Sequence, residues 1–263
     1  MKRSIRYILI FFGYQLLVSI PVAIISVIYS MLNRNTEFNP AWLSVALLVA
    51  SLLTIWHFIH FKEIKIDKRT FSPVSYRVVL ETIITGVAAI VLLGWLNDVM
   101  QLPDLMKDTF DKMDNIFGFI AIGLVGPVAE EIVFRGGVEG ELLKKWKNPK
   151  WAILVSALIF GVIHGNPAQM PFAFLIGILL GWLYYRSGSL LLVIIIHVVN
   201  NSLSVWMSHL YSEDVTLTDL VGTPGIYIIL AGALICLSLS VWRLKQMLPV
   251  PVAAAETQNE QDQ

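Results

Sequence analysis

Apolar stretches about as long as a bilayer is thick dominate this 263-residue chain. A transmembrane helix needs about 20 mainly apolar residues. Charged residues make up only 14% of the chain, against about 25% in a soluble domain. The sequence therefore predicts an all-α, polytopic integral membrane protein of about eight transmembrane helices. The candidate spans lie near residues 7–32, 40–60, 78–97, 116–135, 150–165, 170–186, 189–210 and 224–243.

The charges in the loops predict how these spans are oriented. Lysine and arginine collect in alternate loops, most densely over 62–77 and 144–150, whereas the stretch 98–114 is rich in aspartate. Cytoplasmic loops carry an excess of cations, so both termini are expected in the cytoplasm. The stretch 98–114 is predicted to be either a short amphipathic helix on the outer surface or a solvated loop. We expect one transmembrane domain over 1–248 and a disordered tail over 249–263, whose composition has no core-forming pattern.

Charge and composition also exclude some classes of function. The net charge is zero, which argues against a nucleic-acid partner. The single cysteine, Cys236, excludes an intramolecular disulfide. No glycine-rich phosphate-binding loop is found, so an ATP-driven pump is not expected. The short loops and the lack of targeting signals favour a bacterial plasma membrane, with the lipid bilayer as the surrounding partner.

The fourth predicted span carries two carboxylates and an arginine in apolar surroundings. A charged side chain at the bilayer centre costs at least about 2.5–3.5 kcal/mol, so these charges must be paired or used. Glu131 and Arg135 are four residues apart and are predicted to form a structural ion pair that fixes the helix rotation. Glu130 is rotated by about 100° from Glu131 and is left as the unpaired carboxylate. Pro127 removes a backbone hydrogen bond and predicts a kink just before Glu130.

Further polar residues lie at hydrocarbon depth on two later spans. His164 shares a helix face with Phe160, and His197 shares one with Asn201. A single intramembrane histidine or asparagine more often holds helices together than catalyses a reaction. Here four polar residues lie at hydrocarbon depth on three predicted helices, and together they predict a functional site: Glu130, His164, His197 and Asn201.

These residues resemble the signature of the CPBP family of intramembrane proteases, also called the CAAX-protease and bacteriocin-processing or Abi family. That signature is Glu-Glu-x-x-x-Arg, then Phe-x-x-x-His, then His-x-x-x-Asn. The chain carries Glu130-Glu131-x-x-x-Arg135, Phe160-x-x-x-His164 and His197-x-x-x-Asn201, in that order. The resemblance covers about residues 116–205. It implies an eight-helix membrane fold that cleaves peptide bonds of peptide or protein substrates in or near the membrane.

Two mechanisms are compatible with this resemblance. In the favoured one, no cofactor is required: Glu130, helped by His164, activates a water, and His197 and Asn201 donate hydrogen bonds to the oxyanion. In the alternative, Glu130, His164 and His197 hold a zinc ion and leave a fourth position open. Either mechanism predicts that these three side chains lie within hydrogen-bond or one-water reach of a common point.

The depths of the three residues do not agree in a simple helix count. At about 1.5 Å per residue, Glu130 and His197 fall in the cytoplasmic half, and His164 falls nearer the outer face. Helix tilt, the kink at Pro127, or a fifth span that begins inside the cytoplasmic leaflet would bring them level.

Two other functions stay open from the sequence. A transporter or channel could use the same Glu and His residues as a proton relay. The first three predicted spans offer only scattered serine and threonine, with Glu81 near an end, so a continuous polar path is not evident. A non-catalytic scaffold or immunity protein would keep the motifs for packing alone. Gly177 and Gly181 are interpreted as a helix-packing seam.

Overall fold

The computed structural model describes residues 2–33, 39, 41–64, 70–71, 75–211 and 215–248. Within these ranges the chain is helical and forms no strand, which confirms the predicted all-α class. The described helices are α1 (Lys2–Leu32), α2 (Ala41–His60), α3 (Tyr76–Met100), α4 (Lys107–Lys112), α5 (Ile116–Lys145), α6 (Pro149–Ile163), α7 (Met170–Ser187), α8 (Leu190–Leu210) and α9 (Leu217–Met247). The predicted tail over 249–263 lies outside the described residues, as do the cations at 65–69.

Seven of the described helices, all except α4 and α6, are long and apolar enough to cross a membrane. The chain is therefore a multi-pass integral membrane protein. Helix α6 is apolar but has only 15 residues. At about 1.5 Å per residue it is about 22 Å long, which is less than the hydrocarbon core of about 30 Å. The predicted fifth span is thus a short helix.

The helices pack as pairs around α5. Helix α6 runs along α7, α3 runs along α9, and α1 runs along α2. Helix α5 contacts α1, α2, α6, α7 and α8, and it is the most buried of the seven candidate spans. The polar residues of the fourth predicted span therefore lie in the interior of the bundle.

Two widened turns interrupt α5. The segments Phe119–Val125 and Ile132–Glu139 are π-helical and flank the α-helical segment Gly126–Glu131. In the first, the Gly126 N–H donates to the carbonyl of Ala121, five residues earlier. Such π-turns often occur at functional sites. The irregularity predicted at Pro127 takes this form, a widened turn immediately before the proline.

Helix α5 continues to Lys145, well past its predicted end at residue 135. Two glycines, Gly136 and Gly137, directly follow Arg135, and tertiary packing keeps them helical. A Cβ added at Gly137 would lie 2.9 Å from the ring of Tyr7 on α1. The glycine thus allows α1 to approach α5 closely, and the gain in packing outweighs the low helix propensity of glycine.

Helix α9 begins at Leu217, before the predicted start at 224. Thr216 and Asp219 form a reciprocal capping box that satisfies the first backbone N–H groups. Gly222 then breaks the helix with a φ of 71°, just before Pro224. A left-handed conformation suits glycine, so the early helical turn and the main span are joined by a sharp bend.

The aspartate-rich stretch 98–114 comprises the end of α3, the short helix α4 and irregular segments on either side of α4. Asp98 accepts a hydrogen bond from the backbone N–H of Leu217 at 2.8 Å. Asp114 lies 3.0 Å from the Nδ1 atom of His209 at the end of α8. Its aspartates therefore tie this stretch to the ends of α8 and α9.

Candidate active site

An acid–base cluster is buried where α5 meets α8. The Nη1 atom of Arg135 donates to Glu131 Oε1 at 3.1 Å, and both side chains are 0% exposed. This confirms the predicted ion pair. The Nδ1 atom of His197 lies 2.7 Å from the same oxygen. Because a carboxylate only accepts, His197 Nδ1 carries the hydrogen and donates it to Glu131.

Glu130 faces the other nitrogen of the same imidazole ring. Its Oε2 atom lies 3.7 Å from His197 Nε2, which is too long for a direct hydrogen bond. That oxygen is buried and has no hydrogen-bond partner among the described residues. His197 therefore lies between two carboxylates. It is hydrogen-bonded to Glu131, and its Nε2 atom lies 3.7 Å from the unpaired Oε2 atom of Glu130.

Phe160 is the apolar centre of the cluster. Its ring is 1% exposed, and the guanidinium of Arg135 lies over it at 4.4 Å from the ring centroid. The rings of His164 and His197 make edge contacts with it at centroid distances of 5.0 and 5.7 Å. A cation over an aromatic face in a dry site is stabilising. Phe160 therefore both supports Arg135 and lies beside the two imidazole rings.

His164 is the first residue after the short helix α6. Its Nδ1 atom lies 2.7 Å from the carbonyl oxygen of Phe160, so Nδ1–H donates and Nε2 is left with its lone pair. In the described part of the chain no hydrogen bond joins His164 to Glu130 or His197. The structure thus brings Glu130 and His197 together and holds His164 against the same Phe160 ring. Because α6 is short, His164 reaches a depth at which both rings contact one side chain.

Asn201 is used to bind the backbone of α5. Its Nδ2 atom donates to the carbonyl of Ile122 at 3.1 Å, and the Ser202 hydroxyl donates to the carbonyl of Gly123 at 3.1 Å. These are the carbonyls that residue 127 would serve in a π-helix and in an α-helix, respectively. Pro127 has no N–H group, so α8 supplies the missing donors. Ser202 is not among the residues that the sequence predicts; the signal that could have found it is the proline.

Asn166, two residues after His164, is a second polar residue that the motifs do not include. It is 0% exposed. Its Nδ2 atom donates to Asp104 at 2.8 Å, and its Oδ1 atom accepts from the backbone N–H of Leu105 at 3.1 Å. Its own carbonyl accepts from the first turn of α7, at Met170. Asn166 therefore holds the 98–114 stretch against the end of α6 that carries His164.

The alternative zinc site requires Glu130, His164 and His197 to lie close enough together to share one metal ion. Within the described residues, no group of three His, Cys, Asp or Glu side chains lies close enough together to hold a metal ion. Glu130, His164 and His197 are therefore not assembled as a ligand set in this conformation. The zinc alternative stays a prediction, which the assay described below addresses.

Fold and cluster together define a multi-pass membrane protein with buried acid and base groups where α5 meets α8. Comparison with known proteins makes this class more specific. Residues 112–203 match a family model described as Rce1-like, type II CAAX prenyl endopeptidase Rce1-like. This range contains all three motifs and the whole acid–base cluster.

Two bacterial relatives are also similar to part of this chain. YdiL of Bacillus subtilis, which carries the name of a membrane peptidase, is 33% identical over 88 residues, or 34% of this chain and 36% of the relative. The membrane-embedded CAAX protease MroQ of Staphylococcus aureus is 33% identical over 89 residues, or 32% of this chain and 36% of the relative. The match thus spans about a third of each relative. No solved structure matches the chain significantly. Together the findings confirm the resemblance to the CPBP family, and residues 112–203 carry it.

Proposed function

We propose that this protein is a membrane-embedded endopeptidase in which Glu130 is the general base. The observation that carries the proposal is the buried Oε2 atom of Glu130, which has no hydrogen-bond partner among the described residues and lies 3.7 Å from His197 Nε2. The Glu130 side chain is 22% exposed as a whole, but a buried carboxylate oxygen without a partner is costly unless it is used. The family match over 112–203 and the names of the two relatives support hydrolysis of a peptide bond as that use.

In the proposed reaction, a water binds to Glu130 and attacks the carbonyl carbon of the scissile bond. Glu130 takes one proton from that water as the new carbon–oxygen bond forms. When the carbon–nitrogen bond breaks, the protonated Glu130 gives this proton to the leaving nitrogen. The products are a carboxyl group and an amine, and Glu130 returns to its starting state. A base in this role contributes about 10²–10⁴-fold to the rate.

The other cluster residues orient these groups. The hydrogen bond from His197 Nδ1 to Glu131 fixes the ring so that Nε2 faces Glu130. When Nε2 is protonated it can donate to the oxyanion, and Glu131 stabilises the resulting imidazolium. The amide nitrogen of Asn201 carries two hydrogens, and the contact with Ile122 uses one of them. The second hydrogen is available for the oxyanion. His164, with Nε2 unprotonated, assists the base.

The purified full-length protein, reconstituted in liposomes, tests this proposal. The substrates are fluorogenic peptides with and without a prenylated carboxyl-terminal Cys, because the family model and one relative are named for CAAX processing. We expect Glu130→Gln to lower kcat/KM by about 100-fold or more. We expect His164→Ala to lower it less. The matched control is Glu81→Gln, which removes a carboxylate on α3, away from the cluster.

Three outcomes are decisive. Cleavage by the Glu130→Gln variant at the wild-type rate would contradict the proposed role of Glu130. Loss of wild-type activity on adding a chelator, with recovery on adding zinc, would favour the metal-dependent mechanism. Cleavage restricted to the prenylated peptides would assign the substrate class.

A further inference from the structure

Glu139, a residue outside the three motifs, is a fully buried carboxyl group on α5. It lies four residues after Arg135, is 0% exposed, and neither of its oxygens has a hydrogen-bond partner among the described residues. An ionised carboxylate in such a place loses its hydration without replacement, which is strongly unfavourable. A buried acid that persists under these conditions requires a reason.

The surroundings of Glu139 are shaped to receive it. A Cβ added at Gly181 on α7 would lie 2.6 Å from Glu139 Oε2. One turn earlier, the carbonyl of Gly177 accepts a hydrogen bond from Arg135 Nη2 at 3.3 Å. The two glycines interpreted as a packing seam therefore lie opposite two polar side chains of α5. Arg135 contacts α7 at Gly177, and Glu139 contacts it at Gly181.

Other polar atoms near Glu139 also lack partners. The guanidinium of Arg135 and the Ser156 hydroxyl of α6 are near enough to the Glu139 carboxyl group to interact with it electrostatically. The Ser156 Oγ and Arg135 Nε atoms are buried without a hydrogen bond among the described residues. One N–H donor, one hydroxyl and one carboxyl group are thus enclosed together. A neutral carboxylic acid is chemically suited to both neighbours, because its carbonyl oxygen can accept from an N–H group and its hydroxyl can donate to a serine oxygen.

The number of charges around Arg135 also favours a neutral Glu139 carboxyl group. Arg135 is the one arginine in the cluster, and its Nη1 atom is already paired with Glu131. A second ionised carboxylate beside the same cation would be uncompensated, and a buried acid in that position keeps its proton instead.

We propose that Glu139 is held as a neutral carboxylic acid and is a positioning residue for the cluster. Directly or through one ordered water, it fixes the Nε side of the Arg135 guanidinium. Arg135 then holds Glu131, and Glu131 holds the ring of His197. The inference deepens the proposed peptidase function, because it assigns a support for the imidazole that faces Glu130. The protonation state of Glu139 and the position of the His197 ring can both be measured without catalysis.

Two variants separate the chemical contribution of Glu139 from its volume. Glu139→Gln keeps a neutral group that both accepts and donates, whereas Glu139→Leu keeps most of the volume and removes both functions. Infrared spectroscopy of the full-length protein in H₂O and D₂O measures the carbonyl band of a protonated, buried carboxylic acid. We expect this band in the wild type and its loss in Glu139→Gln. Its absence from the wild type, or its persistence in Glu139→Gln, would overturn the neutral assignment.

NMR of ¹⁵N-histidine-labelled protein tests the positioning role. The short hydrogen bond from His197 to Glu131 should give a downfield Nδ1–H resonance, identified by its loss in His197→Gln. We expect the resonance to be unchanged in Glu139→Gln and shifted or broadened in Glu139→Leu. An unchanged resonance in Glu139→Leu would overturn the positioning role, whether or not the protein cleaves a peptide. In the liposome assay, we expect Glu139→Leu to lower kcat by about 10-fold and to leave KM unchanged.

The contact with Gly181 has its own control. Gly181→Ala should lower the Tm, and the double variant Gly181→Ala with Glu139→Ala should recover part of that loss because the carboxyl group is gone. Gly232→Ala on α9, where an added Cβ meets nothing within 4 Å, is the matched control. If the wild type cleaves no peptide, the proposed function fails, while the infrared and NMR results still decide the state of Glu139.

Discussion

Two of the arginine–glutamate pairs among the described residues have nearly equal N–O distances but very different surroundings. Arg135 and Glu131 lie 3.1 Å apart in the acid–base cluster, and both side chains are 0% exposed. Arg243 on α9 and Glu81 on α3 lie 2.9 Å apart, with side-chain exposures of 54% and 11%. The two pairs have the same chemistry and similar geometry, so a difference in their importance must come from their environment.

The environment differs in partners as well as in water. The guanidinium of Arg135 also donates to the carbonyl of Gly177 and lies over the ring of Phe160, and Glu131 also accepts from His197. The Arg243 guanidinium can exchange its contact with Glu81 for water at little cost. The Arg135–Glu131 pair is thus one link in a connected cluster, whereas the second pair joins an exposed guanidinium, Arg243, to a carboxylate near the protein surface, Glu81. The additional hydrogen-bond partners and the complete burial of the pair, more than its N–O distance, distinguish the region that carries the proposed chemistry.

Replacing each arginine by methionine is the strongest way to break this comparison. We expect Arg135→Met to lower the free energy of unfolding by about 3–5 kcal/mol, because it leaves the Glu131 carboxylate buried without a cation. Arg135→Lys should fall between the wild type and Arg135→Met, since an ammonium group keeps the charge but lacks the planar fork. Unfolding in mixed detergent micelles measures both. A loss in Arg243→Met equal to that in Arg135→Met would show that surroundings do not decide the value of the pair.

The hydrogen bonds from α8 to α5 sharpen the comparison with neutral groups. Asn201→Ala and Ser202→Ala each leave a carbonyl beside Pro127 without a donor. We expect each to lower the free energy of unfolding by about 1–3 kcal/mol. Ser208→Ala is the control, because that hydroxyl is exposed and bonds within its own helix, to Val205. Equal effects at all three positions would mean that Pro127 does not create a particular need for donors.

Local spacing was enough to predict part of this cluster. The pairing of Glu131 with Arg135 follows from four-residue spacing on one helix, and no tertiary information is needed. The spans likewise follow from the length of apolar stretches. The contact between Glu131 and His197 could not be predicted in this way, since it depends on how α5 and α8 are rotated against each other. Spacing alone could not determine which carboxylate meets the ring.

The extension of α5 and its widened turns also depend on tertiary contacts. The predicted fourth span ends at residue 135, but α1 packs against Gly137 and the helix continues. Further along α5, the absence of a side chain at Gly181 of α7 leaves room for the Glu139 carboxyl group. No local pattern marks a π-turn, although Pro127 indicated where the backbone would need outside donors. The residues that the motifs do not include, Ser202 and Glu139, are those whose partners lie on other helices.

The smallest expected effect concerns the exposed pair alone. We expect Arg243→Met to lower the free energy of unfolding by about 1 kcal/mol at low salt, because the Arg243 guanidinium is 54% exposed and solvated when the pair separates, whereas the Glu81 side chain is 11% exposed. Raising the ionic strength from 0.1 M to 1 M shortens the screening length from about 10 Å to about 3 Å, so this difference should shrink toward zero. The loss in Arg135→Met should stay the same over that range, because ions do not reach a pair with no exposed surface. A salt-dependent loss at Arg135 would mean that water enters the cluster, and the dry interior invoked for Glu139 would then no longer hold.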